Sequence, residues 1–341
     1  TLNAPLTRLN AKLKPENIQS SEFGIELVMF NNKLSLDLAV YNIKTTDMIF
    51  SVPVPAATGY SFFLENVGEV TNKGVEFSLG FPVWETSNFK WTSSLYYSAN
   101  ENKLVSLIDG IETLVYNNNN SGNFSVQAKV GGGIGDIYGT VWDKDANGNN
   151  LVNANGSPIA SVPDKLLGNA QPDWMGGFSN TMTFGKWNVN FLIDGRFGGQ
   201  IFSEESSYLD LYGLSLRSLQ YRESGITLTG LDPDGSANAA SITGQEYWES
   251  YAAIAENHVY KQDNIRLREF SVGYSFPGVS SMGIESAAIQ LIGRNLFFFQ
   301  KSAPDGMDPE AMLGTNIQGQ GISSGNLPTT RNIGLNLTLK F

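Results

Sequence analysis

The chain has 341 residues, 22 Lys and Arg against 33 Asp and Glu, a formal net charge of −11, one histidine and no cysteine. Without thiols there are no disulfides, thiolate metal sites or cysteine nucleophiles, and an acidic balance with no basic cluster excludes a nucleic-acid footprint. No stretch approaches the ~18 to 20 unbroken apolar residues of a spanning helix.

The opening TLNAPLTRLNAKLKPEN reads as a loop and lacks a charged-then-apolar leader, so the protein's own N-terminus is expected to lie elsewhere or to have been removed. From Phe23 the dominant signal is period-2 alternation. Phe23, Ile25, Leu27 and Met29 share one face, with Glu22, Gly24 and Glu26 on the other. After the turn Asn31-Asn32-Lys33, Leu34, Leu36, Leu38 and Val40 repeat the pattern. Val75, Phe77, Leu79 and Phe81 form the next apolar face, followed by Phe89, Trp91, Leu95 and Tyr97. Beyond a long loop come Trp174, Phe178, Met182 and Phe184, then Trp187, Val189, Phe191 and Ile193 opposite Asn188, Asn190, Asp194 and Arg196.

The segment Asn264 to Phe276 starts with Ile265 and Leu267 on the apolar face and continues with Phe270, Val272 and Tyr274, a change of phase at Arg268-Glu269 that a one-residue bulge explains. Ala288 to Phe299 is a further strand. Ile333, Leu335, Leu337, Leu339 and Phe341 alternate to the last residue. Each segment is about 9 to 12 residues long, enough for a tilted strand to cross a bilayer.

Tight connections at Asn31–Lys33 and Gly185–Lys186 alternate with long loops at 101–171, 198–262 and 300–330. Aromatic residues crowd strand ends, as at Trp84, Trp91 and Phe297–Phe299, where ring-and-polar-edge side chains suit the lipid–water boundary. A soluble sandwich would show the same alternation with its apolar face turned inward. Strand length, aromatic placement and loop asymmetry favour the membrane barrel. Within the second long loop, 202–222 and 246–257 have helical spacing.

The motifs that imitate chemistry have simpler readings. Asp143–Asn149 (DKDANGN) resembles the start of a calcium loop, but Ala154 stands where a bidentate Glu is needed, and a turn at Asn147-Gly148, echoed at Asn155-Gly156, accounts for it. Gly131–Gly135 lacks the Lys-Ser/Thr of a phosphate cradle and reads as a flexible loop. His258 reads as a solvated or capping residue without companions. No catalytic set and no cofactor site emerges, so the chain is not expected to be an enzyme. Asp194 and Arg196 face a lumen, either to touch substrate or to form an inter-strand ion pair. The loop aromatics Trp142, Tyr208, Tyr212, Trp248 and Tyr251 either grip a substrate or pack within folded loops. The terminal Phe341 has the form of a signal for barrel insertion.

Nine stretches resemble one family jointly and in order. They are LKPENIQSSEFGIEL (13–27), LDLAVYNIKTTDMIFSVPVPAATGY (36–60), NVGEVTNKGVEFSL (66–79), LLGNAQPDWMGGFSNT (166–181), FLIDGRFGGQIFS (191–203), VYKQDNIRLREFSVGYSFP (259–277), LIGRNLFFF (291–299), DGMDPE (305–310) and LPTTRNIGLNLTLKF (327–341). Together they are similar to the SusC/RagA-type TonB-dependent outer-membrane transporters of Bacteroidetes. The resemblance implies an all-β transmembrane barrel of roughly 22 strands, an N-terminal plug, a SusD-like surface lipoprotein partner, and import of oligosaccharides or peptides driven through the TonB complex.

The alternation supplies only about nine strands, too few for such a barrel. An open sheet would leave unbonded edges in lipid. Residues 1–341 are therefore expected to be its C-terminal part, with plug and N-terminal strands elsewhere. Rival readings are a lone receptor for a metal chelate or vitamin, a soluble carbohydrate-binding sandwich, and a small self-contained barrel.

Overall fold

The computed structural model describes residues 7–118, 122–232, 234–279 and 283–341. Nine long strands form one antiparallel sheet in which each pairs with its neighbour in sequence: β1 (Asn17–Met29), β2 (Leu34–Pro53), β3 (Phe62–Glu85), β4 (Phe89–Leu107), β5 (Trp174–Phe184), β6 (Trp187–Phe197), β7 (Asn264–Val279), β8 (Ile284–Lys301) and β9 (Asn332–Lys340). Residues 1–6 of the expected N-terminal loop lie outside the described residues. Thr7–Arg8 pairs in parallel with Phe62–Phe63.

Number and order match the alternation, but β2, β3 and β4 run well past the predicted segments. The upper parts of these strands mix polar stretches such as Lys44-Thr45-Thr46-Asp47 with apolar residues that meet the loops, Met48, Phe50 and Val52 on β2, Val67 and Val70 on β3 and Leu104 on β4. Register shifts at Thr45/Met48 on β2 and Glu69/Val70 on β3 break the phase of the alternation there, although the ladder continues.

The two faces of the sheet differ completely. Along one row of paired residues, Leu27, Leu36, Leu79, Leu95, Phe178, Ile193, Leu267 and Phe297 follow one another across eight strands. The adjacent row on the opposite face reads Glu26, Asp37, Ser78, Tyr96, Gly177, Asp194, Arg266 and Phe298. Among the described residues, nothing covers the apolar face. Phe23 is 66% exposed and Leu335 68%, which rules out a sandwich with these stripes dry inside.

The compact hydrophobic core lies instead among the loops. Leu114, Phe124, Val126, Ile137, Phe202 and Ile322 pack over Val67, Val70 and Leu104 at the upper ends of β3 and β4. Phe124 and Phe202 stack at 4.1 Å.

Aromatic rows mark both borders of the outward face. Phe184, Trp187 and Tyr274 pair directly near the short turns, and Trp174 stacks on Phe197 at 4.3 Å near the long loops. Ten residues separate Trp187 from Phe197 on β6, roughly 26 Å of height at a tilt of about 40°, which matches the apolar band of an outer-membrane barrel.

The short connections 30–33, 86–88 and 185–186 lie at one end and the long ones at the other. In the first, Phe30, Asn31 and Asn32 all adopt left-handed backbone, and in the third Gly185 does.

The bulge expected at Arg268-Glu269 is present: Leu192 pairs with Glu269 and Ile193 with Leu267, so Arg268 has no partner on β6 in the ladder. Phe270→Arg, in the middle of the outward stripe, is expected to cost about 2–4 kcal/mol and to lower the yield of heat-modifiable barrel. Thr181→Arg on the inward face is expected to leave that yield unchanged.

Candidate functional site: the inner wall and the folded loops

The inward face carries the charged residues. A cavity of about 590 Å³ is lined by Asp37, Glu76, Tyr96, Asp194, Arg196, Arg268 and Glu310. Asp194 does not pair with Arg196. Its Oδ2 accepts from Arg268 Nε at 2.6 Å, while Arg196 Nη2 donates to Gln262 Oε1 at 2.8 Å and to the Ala170 carbonyl at 2.9 Å. Side chains two apart on one strand lie side by side roughly 6.8 Å apart, and the bulge brings Arg268 within closer reach of Asp194.

The counter-charge for Arg268 comes from the last long loop, 302–331, which folds back onto the wall. Arg268 Nη2 donates to Glu310 Oε1 at 2.7 Å and Arg266 Nη1 to Glu310 Oε2 at 3.1 Å, making bidentate and shared charge-assisted bonds. Gln262 Nε2 fixes the same turn through the Pro309 carbonyl at 2.9 Å. Sequence reading missed this group. Arg266, Arg268 and the DPE triplet all stand in recognised stretches, but more than 40 residues separate them and no local pattern joins them.

The helical part of the second loop is shorter than its spacing predicts. The first helix, α1 (Glu204–Leu211), is capped by Ser203 Oγ, which accepts from the Ser206 amide at 3.1 Å, and ends before Gly213, whose φ is +67°. The second, α2 (Gly244–Ala252), begins with a capping box between Thr243 and Glu246.

Between them lies a buried ionic centre. Arg217 grips the fully buried Asp210 with two donors, and its guanidinium lies 5.3 Å from the Tyr251 ring.

His258 belongs to this centre and is neither solvated nor alone. It is 0% exposed, beside Tyr251 and Phe202, with Nδ1 3.2 Å from Arg217 Nη2. Because arginine only donates, Nδ1 must accept, which leaves the ring neutral with its proton on Nε2. Burial pushes the His258 pKa down to about 4; the neighbouring Arg217 adds to this and Asp210 opposes it.

The loop aromatics divide into two groups. Trp248 is 5% exposed and its indole donates to the Gln220 carbonyl at 3.1 Å; Tyr251 packs against it at 5.1 Å. Trp142 is half-buried, with Nε1 donating to Asn257 Oδ1 at 3.1 Å and its ring edge-on to Tyr251. These three rings pack within the loops. Tyr208 and Tyr212 instead stack on each other at 6.4 Å on the open side of α1, with Tyr212 68% exposed.

The calcium-like segment is a turn. The Asp145 carboxylate accepts from the Asn147 and Asn149 amides, and Gly148 takes φ +85°. The glycine run is also a fixed turn rather than a flexible loop. Gly131 N donates to the Leu104 carbonyl at 2.8 Å and Gly133 N to Asp136 at 3.1 Å. Burial pushes the Asp136 carboxyl up despite its bonds to Asn169 and Gly133. Among the described residues, no three His, Asp or Glu converge as metal ligands.

An apolar outward face, a charged inner wall and loops folded over one end form the wall of a membrane barrel. The family described as TonB dependent receptor-like, beta-barrel matches residues 2–231. The chain belongs to that family, and its strands are outer-membrane β-barrel strands.

It is 27% identical over 365 aligned residues to TonB-dependent receptor P3 of Formosa agariphila, covering 97% of this chain and 35% of that protein. It is 24% identical over 350 residues to TonB-dependent receptor SusC of Bacteroides thetaiotaomicron, covering 97% and 32%. The chain thus spans about a third of the length of the curated relatives it matches.

In fold it is similar to the RagAB peptide transporter, with a TM-score of 0.68, 20% identity, and coverage of 96% of this chain and 35% of that one. The RagAB peptide importer in its closed-closed state gives a TM-score of 0.70 at 19% identity.

Two measurements separate packing from surface roles in the loops. Trp248→Ala is expected to cost about 3–5 kcal/mol of loop stability and to open 198–262 to protease, whereas Tyr212→Ala leaves protease resistance unchanged. His258 binds a proton below about 6.5 when unfolded and only near 4 when folded. Its contribution is therefore complete above pH 6.5 and declines as pH falls toward 4. Protease cleavage of this loop should accelerate across that window, and His258→Gln should flatten the dependence.

Proposed function

We propose that this chain is the C-terminal part of a TonB-dependent importer whose remaining strands and plug complete a barrel of roughly 22 strands, and that its role is transport and not catalysis. The observation carrying this reading is the two-faced sheet. The Leu27-to-Phe297 row has lipid for a partner, and the Glu26-to-Phe298 row faces an aqueous lumen. A closed barrel is also the arrangement that satisfies both edges, β1 and β9, in hydrocarbon.

The cargo is an oligosaccharide or a peptide, held between the folded loops and a SusD-like surface lipoprotein, then passed along the inner wall when the TonB complex displaces the plug. Similarity to SusC and to the RagAB peptide transporter supports this choice of cargo class and partner. Asp194 and Arg196 line the lumenal cavity through which cargo passes, although both are already bonded to protein groups. Tyr208 and Tyr212 are the rings offered to cargo or lid, with Trp142, Trp248 and Tyr251 as the scaffold beneath. Phe341, directly after β9, serves the insertion machinery.

Purifying the intact transporter from its native membrane in mild detergent is expected to bring down a stoichiometric lipoprotein. In the same background, the double variant Tyr208→Ala/Tyr212→Ala should weaken capture of labelled glycan or peptide about tenfold, at ~1–1.5 kcal/mol for a lost pair of aromatic contacts. A transporter that purifies alone and takes up a metal chelate would overturn the reading.

A further inference from the structure

The last strand has an unusual weakness. Ile333, Leu335, Leu337 and Leu339 face outward, and Asn332, Gly334, Asn336, Thr338 and Lys340 face inward, opposite Arg294 to Ser286 of β8. A slip of two residues along β8 would move the strand by roughly 6.8 Å and return every apolar side chain to the lipid face. The hydrophobic pattern therefore does not distinguish the native register from its even-numbered neighbours. Nor does a hairpin, because β8 and β9 are joined by the long loop 302–331, whose closure imposes no turn geometry. Near the other end the ion pair Lys340–Glu285 is exposed on both sides and worth little.

We propose that the ionic group on the inner wall is a register clamp for β9. It grips Thr329 and Thr330, which Arg331 alone separates from the first residue of that strand. Thr329 N donates to Asp308 Oδ2 at 3.0 Å, and its hydroxyl is held between Asp308 and Arg266. The Thr330 carbonyl accepts from Asn295 Nδ2 at 3.3 Å. Arg266 and Asp308 are almost fully buried, and Arg266 lies over the Phe298 ring at 4.2 Å.

Asn295 is itself fixed. It sits with φ +52° in the irregular pairing where Leu267 faces Phe297 but Glu269 faces Arg294, and its Oδ1 accepts from the bulged Arg268 at 3.2 Å. Glu310 joins Arg266 to Arg268, and Arg268 is tied through Asp194 to β6. The start of β9 is thereby referenced to β6, β7 and β8 together. A two-residue slip would pull Thr329 and Thr330 out of these bonds and leave buried Arg266 and Asp308 short of partners, a strong penalty.

The chain contains no cysteine, so introduced pairs are the only thiols within it, and the intact transporter without them serves as the control for cross-linking in its membrane. Leu291 faces Leu335 directly, within disulfide reach, whereas Leu291 and Leu337 are diagonal neighbours beyond it. With the clamp intact, L291C/L335C should cross-link and L291C/L337C should not. Adding Glu310→Ala or Thr329→Val should lower the native cross-link several-fold and make a slipped pair, L291C/L337C or L291C/I333C, appear. Lys340→Ala should change neither.

Native cross-linking at the unmodified yield in both clamp variants, with no slipped product, overturns the proposal. If a clamp variant fails to accumulate in the membrane, closing L291C/L335C under oxidising conditions during assembly should restore it. Failure to restore would mean that the group supports something other than register, and this too overturns the proposal.

Discussion

Backbone amides and carbonyls that enter hydrocarbon find no water, so each must bond to another strand. Most of this chain's organisation follows from that requirement. It forces long continuous ladders with side chains projecting alternately to lipid and lumen, and it confines breaks in the ladder to places where protein supplies replacement bonds. The bulge at Arg268 is such a place. The residue omitted from pairing with β6 turns its guanidinium to Asp194, Glu310 and Asn295 on the inner wall.

The same requirement explains where a conventional core can form. Between the membrane borders the sheet buries little, since one face has lipid as its solvent and the other lines a lumen. Above the membrane, water returns and loops must cover their own apolar surface. Three long loops do so jointly: Leu114, Phe124, Val126 and Ile137 of the first, Phe202 of the second and Ile322 of the third share one packed cluster over the upper strands. Hydrogen bonds reinforce the union, with Glu205 accepting from Ser323 Oγ at 2.8 Å and Asn117 donating to the Gln318 carbonyl at 2.7 Å. The loops therefore act as a fitted cap on this part of the wall, and the exposed rings of Tyr208 and Tyr212 are presented from a fixed base.

Charge follows the same division. Acidic residues outnumber basic ones, but three arginines gather where loops meet wall. Arg196, Arg266 and Arg268 each bond to groups outside their own strand, and Arg217 does the equivalent work inside the helical loop. A planar fork of donors suits this task, because one guanidinium can hold several segments in fixed relation.

The alternating faces, the nine strands in order, the tight turns, the bulge at Arg268-Glu269 and the family were all legible from residues alone. These features are local: each is written within a dozen neighbours as period 2 or as a turn signature. The upper strand extensions were hidden because register shifts break the apolar period there and the apolar residues beyond them turn to the loop core. Asp194's true partner, the burial of His258 and the packing of Trp248 were decided only by the fold. In each case the partner lies many residues away, at Arg268, Arg217 and Gln220, and a linear pattern carries no distance between segments that loops bring together. The sequence by itself determined which face of each strand meets lipid, because solvent preference belongs to the side chain. Tertiary structure alone decided which charges meet and how the loops seat on the wall, because those depend on where the strands place their ends in space.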